Sequence, residues 1–449
     1  MFADDTIAAI ATPPGKGAIA IVRISGPGVA NVVRRLVRTR RPIRARVSAL
    51  GEFLDEKGRM LDRGLALFFR APESYTGEDL LEMHVHGSPI VAREILCALI
   101  ACGVRQAAPG EFTRRAFLNG KMDLHAAEAV AAVINAETRA AARAAVANLG
   151  GGLAAEVGAL RQRAGTLLEE LAAAIDFPDE VADPGRARLE SEVAGIATAL
   201  ERLRADGERG RLVREGLTAA IVGPPNAGKS SLLNALLGDD RAIVSETPGT
   251  TRDTIEETVA INGVPVRLVD TAGIRAHADR LERAGIERSR RALAAARLAI
   301  VVIDGSQPLG AEARSLLDET RDRARVIFFN KADLGLAIAQ TAGTLGAIAG
   351  SVRDTASLER LRDAVARAGW GGELPDLERP HLAAVREFAA VEEALDALAT
   401  AISTLQSGEP VDFVASELHR AYAALGKVSE RDAAEEVLGG IFSRFCIGK

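Results

Sequence analysis

The 449 residues carry 56 Lys and Arg against 61 Asp and Glu, a formal net charge of −5, so no overall field draws the chain to nucleic acid and any polyanion site has to be a local patch. With 48% hydrophobic and 26% charged residues the composition is that of a soluble globular protein of about two to four domains. Three cysteines, Cys97, Cys102 and Cys446, exclude a disulfide framework, and no His/Cys cluster has zinc spacing.

The opening Met1-Phe2-Ala3-Asp4-Asp5 lacks the basic and apolar segments of a signal peptide, and no apolar run approaches membrane-spanning length, so a cytoplasmic protein with no membrane association is expected. Residues 1–120 read as a mixed α/β unit. Thr6–Ile10 and Ala18–Ile24 are strand-like and flank the turn Pro13-Pro14-Gly15-Lys16-Gly17. Arg23 interrupts the second strand, where an edge or paired arginine is the simplest account. The run Arg34 to Arg46 is the one dense basic stretch. It is open to a phosphate backbone, although a solvated face is the simpler expectation without aromatic neighbours.

Leu65–Phe69 is a further strand, and the segment after the turn at Tyr75 alternates through Gly87. Glu82, His84 and His86 share one face of a regular strand, a spacing open to a metal but accounted for more simply by the polar face of a half-buried strand. Cys97, in an apolar run, reads as a buried filler. After the connector 109–124, residues from Leu124 to about Ala205 are helix formers with apolar three- and four-residue spacing, broken at Gly150-Gly151-Gly152, Pro178 and Pro184-Gly185.

Leu217–Val222 reads as a buried strand and leads into Gly223-Pro224-Pro225-Asn226-Ala227-Gly228-Lys229-Ser230, which opens a helix. Strand, glycine-rich loop and helix together make a phosphate site: successive N–H groups and a helix N-terminus face the anion, Lys229 reaches the β- and γ-phosphates, and Ser230 offers a hydroxyl to Mg2+. Gly249-Thr250-Thr251-Arg252-Asp253 supplies a loop threonine for the metal and γ-phosphate. Asp270-Thr271-Ala272-Gly273 ends a strand, with Asp270 aimed at the metal's water shell and the Gly273 N–H at the γ-phosphate. Asn330-Lys331-Ala332-Asp333 follows the buried strand Arg325–Phe329, and the Asp333 carboxylate can accept from guanine N1 and N2. Ser351-Val352-Arg353 stands where Ser-Ala-Lys is usual for guanine contact. The set specifies a Ras-like GTPase. Ile274 and Arg275 follow Gly273, so no glutamine orients the attacking water, and Asn226 offers an oxygen to a monovalent cation. After Gly371–Pro375 helix returns from about Pro380 to Phe445.

The fold class expected is thus multidomain α+β and α/β. An N-terminal α/β domain (1–120) precedes a discontinuous helical bundle (121–215 and 376–449) into which a Ras-like P-loop domain (216–375) is inserted.

The P-loop, Gly-Thr-Thr-Arg-Asp, Asp-Thr-Ala-Gly-Ile-Arg, the segment Pro109 to Lys121, Ile175-Asp176-Phe177-Pro178-Asp179-Glu180 and the terminal Cys446-Ile447-Gly448-Lys449 resemble the MnmE (TrmE) family of tRNA-modification GTPases over the whole chain. The resemblance implies a potassium-stimulated GTPase. With the FAD-binding protein MnmG, it would attach an aminomethyl or carboxymethylaminomethyl group to carbon five of the wobble uridine of certain tRNAs. It implies a homodimer, a heterotetramer with MnmG, and formyl- or methylene-tetrahydrofolate as one-carbon donor, bound by the N-terminal domain. Folate contacts would fall on Arg23, Glu82, Lys121 and Lys449. Potassium contacts would fall on Asn226, Ser245, Thr247 and Thr250, and magnesium contacts on Ser230 and Thr251. The remaining GTP contacts would fall on Ala227, Gly228, Lys229, Ser231, Glu246, Pro248, Gly249, Asp270, Thr271, Ala272, Gly273, Asn330, Lys331, Asp333, Ser351, Val352 and Arg353. Glu282 would be catalytic, orienting water, and Cys446 is a candidate catalytic or substrate-proximal thiol. Departures are Pro224 for the usual arginine and Ser351-Val352-Arg353 for Ser-Ala-Lys. A ribosome-assembly GTPase of the Era type shares the loop but would carry a basic RNA-binding domain. A prenylated switch fails because Gly448 and Lys449 do not fit C-a-a-X.

Overall fold

The structure, a computed structural model, describes residues 5–177, 179–182, 184–238, 256–270, 293–372, 376–429, 435–443 and 445–449. The chain forms two compact units: residues 1–131, 154–158 and 425–449 make the first, and 132–153 with 159–424 the second.

The first unit is built on strands β1 (Ile7–Ile10), β2 (Ile19–Ser25), β3 (Val37–Thr39), β4 (Ala49–Leu54), β5 (Met60–Phe69), β6 (Leu80–His86) and β7 (Arg105–Gln106), with helices α1 (Val29–Leu36), α2 (Pro89–Ala101) and α3 (Glu111–Leu118). The strands lie in the order β3-β4-β5-β6-β2-β1-β7, antiparallel throughout except for the β1–β7 pair. Period-two alternation divides β2 between two faces. Ala20, Val22 and Ile24 join Leu81, Met83 and Val85 of β6 under α1 and α2, while Arg23 and its register partner Glu82 point to the opposite face. On that second face Ile7, Ala9, Ala107 and Phe112 form a smaller core with Tyr75 against it.

Cys97 is exposed, contrary to the filler expected from its apolar run. The helical period of α2 turns Ala92, Ile95, Ala98 and Leu99 inward and leaves Cys97 on the outer side.

Helices α4 (Leu124–Ile134), α5 (Arg139–Asn148), α6 (Gly152–Asp176) and α7 (Arg186–Glu215) follow. A break precedes α5 that the helix-rich composition hides, and Thr138 caps that helix by accepting from the Ala141 N–H at 3.1 Å. Helix α7 runs past Ala205 to Glu215. Its glycines do not end it, because Gly207 gives room to Leu382, whose Cβ would lie 2.7 Å from an added methyl.

The second unit continues with β8 (Leu217–Val222), α8 (Lys229–Leu237), β9 (Glu256–Ile261), β10 (Val264–Asp270), β11 (Leu298–Asp304), α9 (Ala311–Glu319), β12 (Arg325–Asn330), α10 (Ala339–Leu345), β13 (Ile348–Ala349) and α11 (Thr355–Trp370). The strand order is β13-β12-β11-β8-β10-β9, parallel except for the β9–β10 hairpin. Both faces of this sheet are covered. Leu217, Ala219 and Ile221 enter one core and Ala220 and Val222 the other, which is why β8 reads as an unbroken apolar run. Helices α12 (Val385–Ser407), α13 (Val411–Ser429) and α14 (Glu435–Phe442) complete the chain, with α12 packed along α7.

Candidate functional site: a nucleotide cradle and a tail-closed cationic cluster

In the parallel sheet β8 is central, with β10 on one side and β11 on the other, so the loops leaving their carboxyl ends diverge and open a crevice there. The loop after β8 enters α8 through Asn226, at φ 62°, and Gly228, at φ +96°. This left-handed backbone turns N–H groups inward at the α8 N-terminus, the arrangement that holds phosphate oxygens. Gly228 is required twice over. A methyl there would lie 2.2 Å from Asn330 Nδ2, besides adopting the unfavourable φ. The Lys229 ammonium lies under the loop, donating to the Gly223 and Pro224 carbonyls at 2.8 Å each. Ser230 and Ser231 stand in the first turn of α8.

Asn330, at the end of β12, is buried and bridges two loops. Its Nδ2 donates to the Ala227 carbonyl at 2.9 Å, and its Oδ1 accepts from the Val352 N–H at 3.2 Å. Ser351 Oγ accepts from the Arg353 N–H at 3.2 Å, which folds the loop after β13 back on itself. Lys331 Nζ donates to Asp304 Oδ2 at 2.6 Å, and Asp304 Oδ1 accepts from the Ser306 hydroxyl at 2.6 Å. Burial alone would raise the Asp304 carboxyl, but Lys331 and Ser306 outweigh it and hold it below the usual carboxylate range. Asp333 is exposed, free to meet a ligand edge. Asp304 and Ser306 escaped the sequence reading; the signal was Asp304's position at the end of an apolar strand beside β12.

Ser245, Glu246, Thr247, Pro248, Gly249, Thr250, Thr251, Thr271, Ala272, Gly273 and Glu282 lie outside the described residues, and Asp270 is described as backbone at the end of β10.

In the first unit the tail residues 445–449 seat against the sheet's second face. The Pro109–Ile447 pair forms an antiparallel bridge, and the Phe112 N–H donates to the Lys449 carbonyl at 3.2 Å. Gly448 sits at φ +100°, where an added methyl would lie 2.5 Å from the Ile10 carbonyl oxygen, so only glycine allows this close seat. The Arg23 guanidinium closes the arrangement. It donates to Glu82 Oε1 through Nε at 3.0 Å and Nη2 at 2.8 Å, and through Nη1 to the Gly448 carbonyl at 3.3 Å. The rings of Tyr75 and Phe112 lie 5.6 and 5.7 Å from its Cζ. Burial and the Arg23 charge push the Lys449 ammonium below the usual lysine value, against the pull of Glu82.

Arg23 is therefore both the paired arginine of the simpler reading and a member of a cluster with Glu82 and Lys449. Lys121 is exposed just after α3, its stem along Gly77, with no hydrogen bond or ion pair to that trio among the described residues. His84 Nε2 lies 3.3 Å from Glu82 Oε2, whereas His86 Nδ1 bonds Asp62 at 2.8 Å, so His86 is drawn away from the other two same-face residues. Cys446 is exposed, and its carbonyl accepts from the Gly110 N–H at 3.4 Å. The same unit holds a second network that no motif announces: buried Arg115 of α3, bonded to Asp5 at 2.6 Å, Glu78 at 3.2 Å and Glu111 at 3.1 Å.

Residues 6–121 match the family described as GTP-binding protein TrmE N-terminus, and residues 124–446 match the MnmE helical domain. A relative from Moorella thermoacetica, tRNA modification GTPase MnmE, is 42% identical over 99% of this chain and 100% of its own length. The chain belongs to the MnmE family. Family members of the same printed name from Chloroflexus aurantiacus, at 43% identity over 99% of this chain and 100% of that one, and Neisseria meningitidis, at 42% over 99% of each, are similarly close. Among solved structures the T. maritima FeoB G domain aligns with 34% of this chain and 98% of its own at 23% identity and a TM-score of 0.27, and carries no weight here. The MnmE family relationship accounts for a P-loop domain lying within a span matched by a helical-domain family.

Proposed function

We propose that this chain binds and hydrolyses GTP and uses that cycle to drive modification of carbon five of the wobble uridine in certain tRNAs. The observation that carries the reading is the meeting of the α8 N-terminus and Lys229 with Asn330 at the carboxyl ends of one parallel sheet. In this reading the loop N–H groups of Ala227 to Ser231 and the Lys229 ammonium bind the phosphates, joined by Glu246, Pro248, Gly249, Thr271 and Ala272. Asp333 selects guanine by accepting from two ring-edge N–H groups, with Lys331 and the Ser351 to Arg353 loop around the base. Ser230 and Thr251 hold Mg2+, with Asp270 on its water shell and the Gly273 N–H on the γ-phosphate.

Asn226, Ser245, Thr247 and Thr250 hold K+. Potassium, when bound, supplies positive charge beside the β- and γ-phosphates, the role an arginine finger fills elsewhere. Asn226 suits this role because it is an exposed carboxamide within the phosphate loop. Glu282 orients the attacking water through a bridging water, replacing the missing glutamine. The test is GTP turnover in matched potassium and sodium buffers. Turnover should rise with potassium, Asn226→Ala should lose that response while binding nucleotide, and Glu282→Ala should lose turnover while binding GTP. Wild-type rates indifferent to the cation would remove the potassium reading.

The first unit is read as the one-carbon site. Arg23, Glu82, Lys121 and Lys449 hold formyl- or methylene-tetrahydrofolate, Glu82 accepting from N–H groups and the cations meeting carboxylates or carbonyl oxygens. The donor set fits, since two cations, Arg23 and Lys449, face one carboxylate, with exposed Lys121 just after α3. A folate, when bound, supplies the one-carbon unit. Cys446, three residues before Lys449, stands near that chemistry. The chain works in the cytoplasm as a homodimer through residues 1–120 and as a heterotetramer with the FAD-binding protein MnmG. Equilibrium dialysis with a tetrahydrofolate tests the site, and Arg23→Ala or Glu82→Ala should abolish retention without changing GTP binding. Sedimentation of the full chain with and without MnmG tests the assemblies.

A further inference from the structure

The basic run Arg34 to Arg46 has no part in either site, yet the fold gives it a definite shape. Strand β3 is the edge of the first sheet, and the chain after it returns to pair alongside the end of β5. Thr39 Oγ1 donates to the Arg41 carbonyl at 2.7 Å, the Arg46 N–H to the Phe68 carbonyl at 2.7 Å, and Ala45 bridges Phe68. The result is a groove of about 900 Å3 lined by Arg38, Arg40, Arg41, Arg44 and Arg63, with Glu52 the one carboxylate on its wall. Arg38, Glu52 and Arg63 stand side by side as register partners across three strands, and Arg38 pairs with Glu52 at 3.3 Å. Among the described residues Arg40, Arg41, Arg44 and Arg63 make no ion pair. Arg46 turns away to Glu73 at 3.2 Å. Exposed Val47 and Leu50 line the same groove.

We infer that this groove holds the phosphate backbone of RNA; the inference rests on the tRNA reading above. Five guanidinium groups against one carboxylate make a positive channel on a chain of net charge −5. Arginine presents planar forks that match phosphate oxygens, and a concave track suits a strand of backbone better than a flat bilayer. No aromatic side chain lines the groove, so it lacks a stacking platform for bases. Its contribution is therefore positioning without sequence readout, and its signature is salt dependence.

The test uses the full-length chain and fluorescently labelled tRNA, with affinity measured by anisotropy across a potassium chloride series. Arg40→Gln/Arg41→Gln/Arg44→Gln should weaken binding at least tenfold near physiological salt and make the log–log salt slope shallower by about 2 to 3. Arg34→Gln/Arg35→Gln, on the exposed side of α1 and outside the groove, should leave both nearly unchanged. A far-UV circular dichroism spectrum and thermal melt matching the wild type show that the triple variant is folded, its first unit included. A triple variant with wild-type affinity and slope overturns the groove, as does a wild type that binds anionic vesicles through these arginines but not tRNA. If a strain lacking the chain loses the wobble modification while the triple variant binds tRNA normally, the groove is wrong and the function stands. If that strain's tRNA is unaltered, the function itself fails.

Discussion

Asn330 ties the end of β12 to the phosphate loop: its Nδ2 donates to the Ala227 carbonyl at 2.9 Å while its Oδ1 accepts from the Val352 N–H at 3.2 Å. One buried carboxamide thus fixes the loop that meets phosphates relative to the loop proposed to meet the base. Asn330→Ala leaves the buried Ala227 carbonyl and the half-buried Val352 N–H without this partner, a cost of about 1–3 kcal/mol. Affinity for a fluorescent guanine nucleotide should fall at least tenfold, and the melting temperature of the chain should drop. Unchanged affinity would contradict the bridge.

Exposed Asp333 is proposed as the reader of guanine. Asp333→Asn exchanges one acceptor for a donor, so GTP should bind less tightly and xanthosine triphosphate more tightly, with the ratio measured by competition. A wild type that binds ATP and GTP equally would refute the role.

The network around Arg115 makes the first unit acid-sensitive. Burial alone would raise the Glu111 carboxyl, but Arg105, the Ala108 N–H and Arg115 hold it below its ordinary 4.5, and Asp5 is likewise held below 3.8 by Arg105 and Arg115 against burial. A carboxyl depressed by folding contributes stability above its unfolded value and loses it as the pH falls through the folded one. Urea midpoints should therefore be steady from neutrality to about pH 5 and fall below 4.5. Arg115→Met removes the guanidinium shared by three partly buried carboxylates, Asp5, Glu78 and Glu111, and should cost about 3 kcal/mol at neutral pH. A flat acid profile would show that the network contributes nothing.

Gly448 should tolerate no side chain. Gly448→Ala puts a methyl 2.5 Å from the Ile10 carbonyl oxygen and forces φ +100° on alanine, so the tail with Cys446 and Lys449 should leave its seat on the sheet. Folate retention and tRNA modification should be lost while GTP turnover is preserved. Normal modified-uridine levels in this variant would detach the tail from the chemistry.

The nucleotide cradle was legible because its parts are local. Gly228, Lys229 and Ser230 are neighbours in sequence, and β8 and β12 announce themselves as apolar runs buried on both faces. The cationic cluster was not legible from the residues themselves, since Arg23 and Gly448 are 425 positions apart and meet only through tertiary folding. Only the family resemblance joined them. Cys97 misled because composition reports an apolar run and not which side of the helix faces inward. The α4–α5 break passed unnoticed because Ala-rich sequence continues through it, and a single threonine cap marks the restart. The arginine groove needed the fold as well. A charge run becomes a track only when an edge strand and a returning loop line its side chains along one wall.

Nucleoside mass spectrometry of tRNA from a strain deleted for this chain, complemented with the wild type or with Lys229→Ala, tests the central claim most directly. The account predicts loss of carbon-five-modified wobble uridines in the deletion, restoration by the wild type and none by Lys229→Ala. Unaltered wobble uridines in the deletion strain, or full restoration by Lys229→Ala, would contradict it.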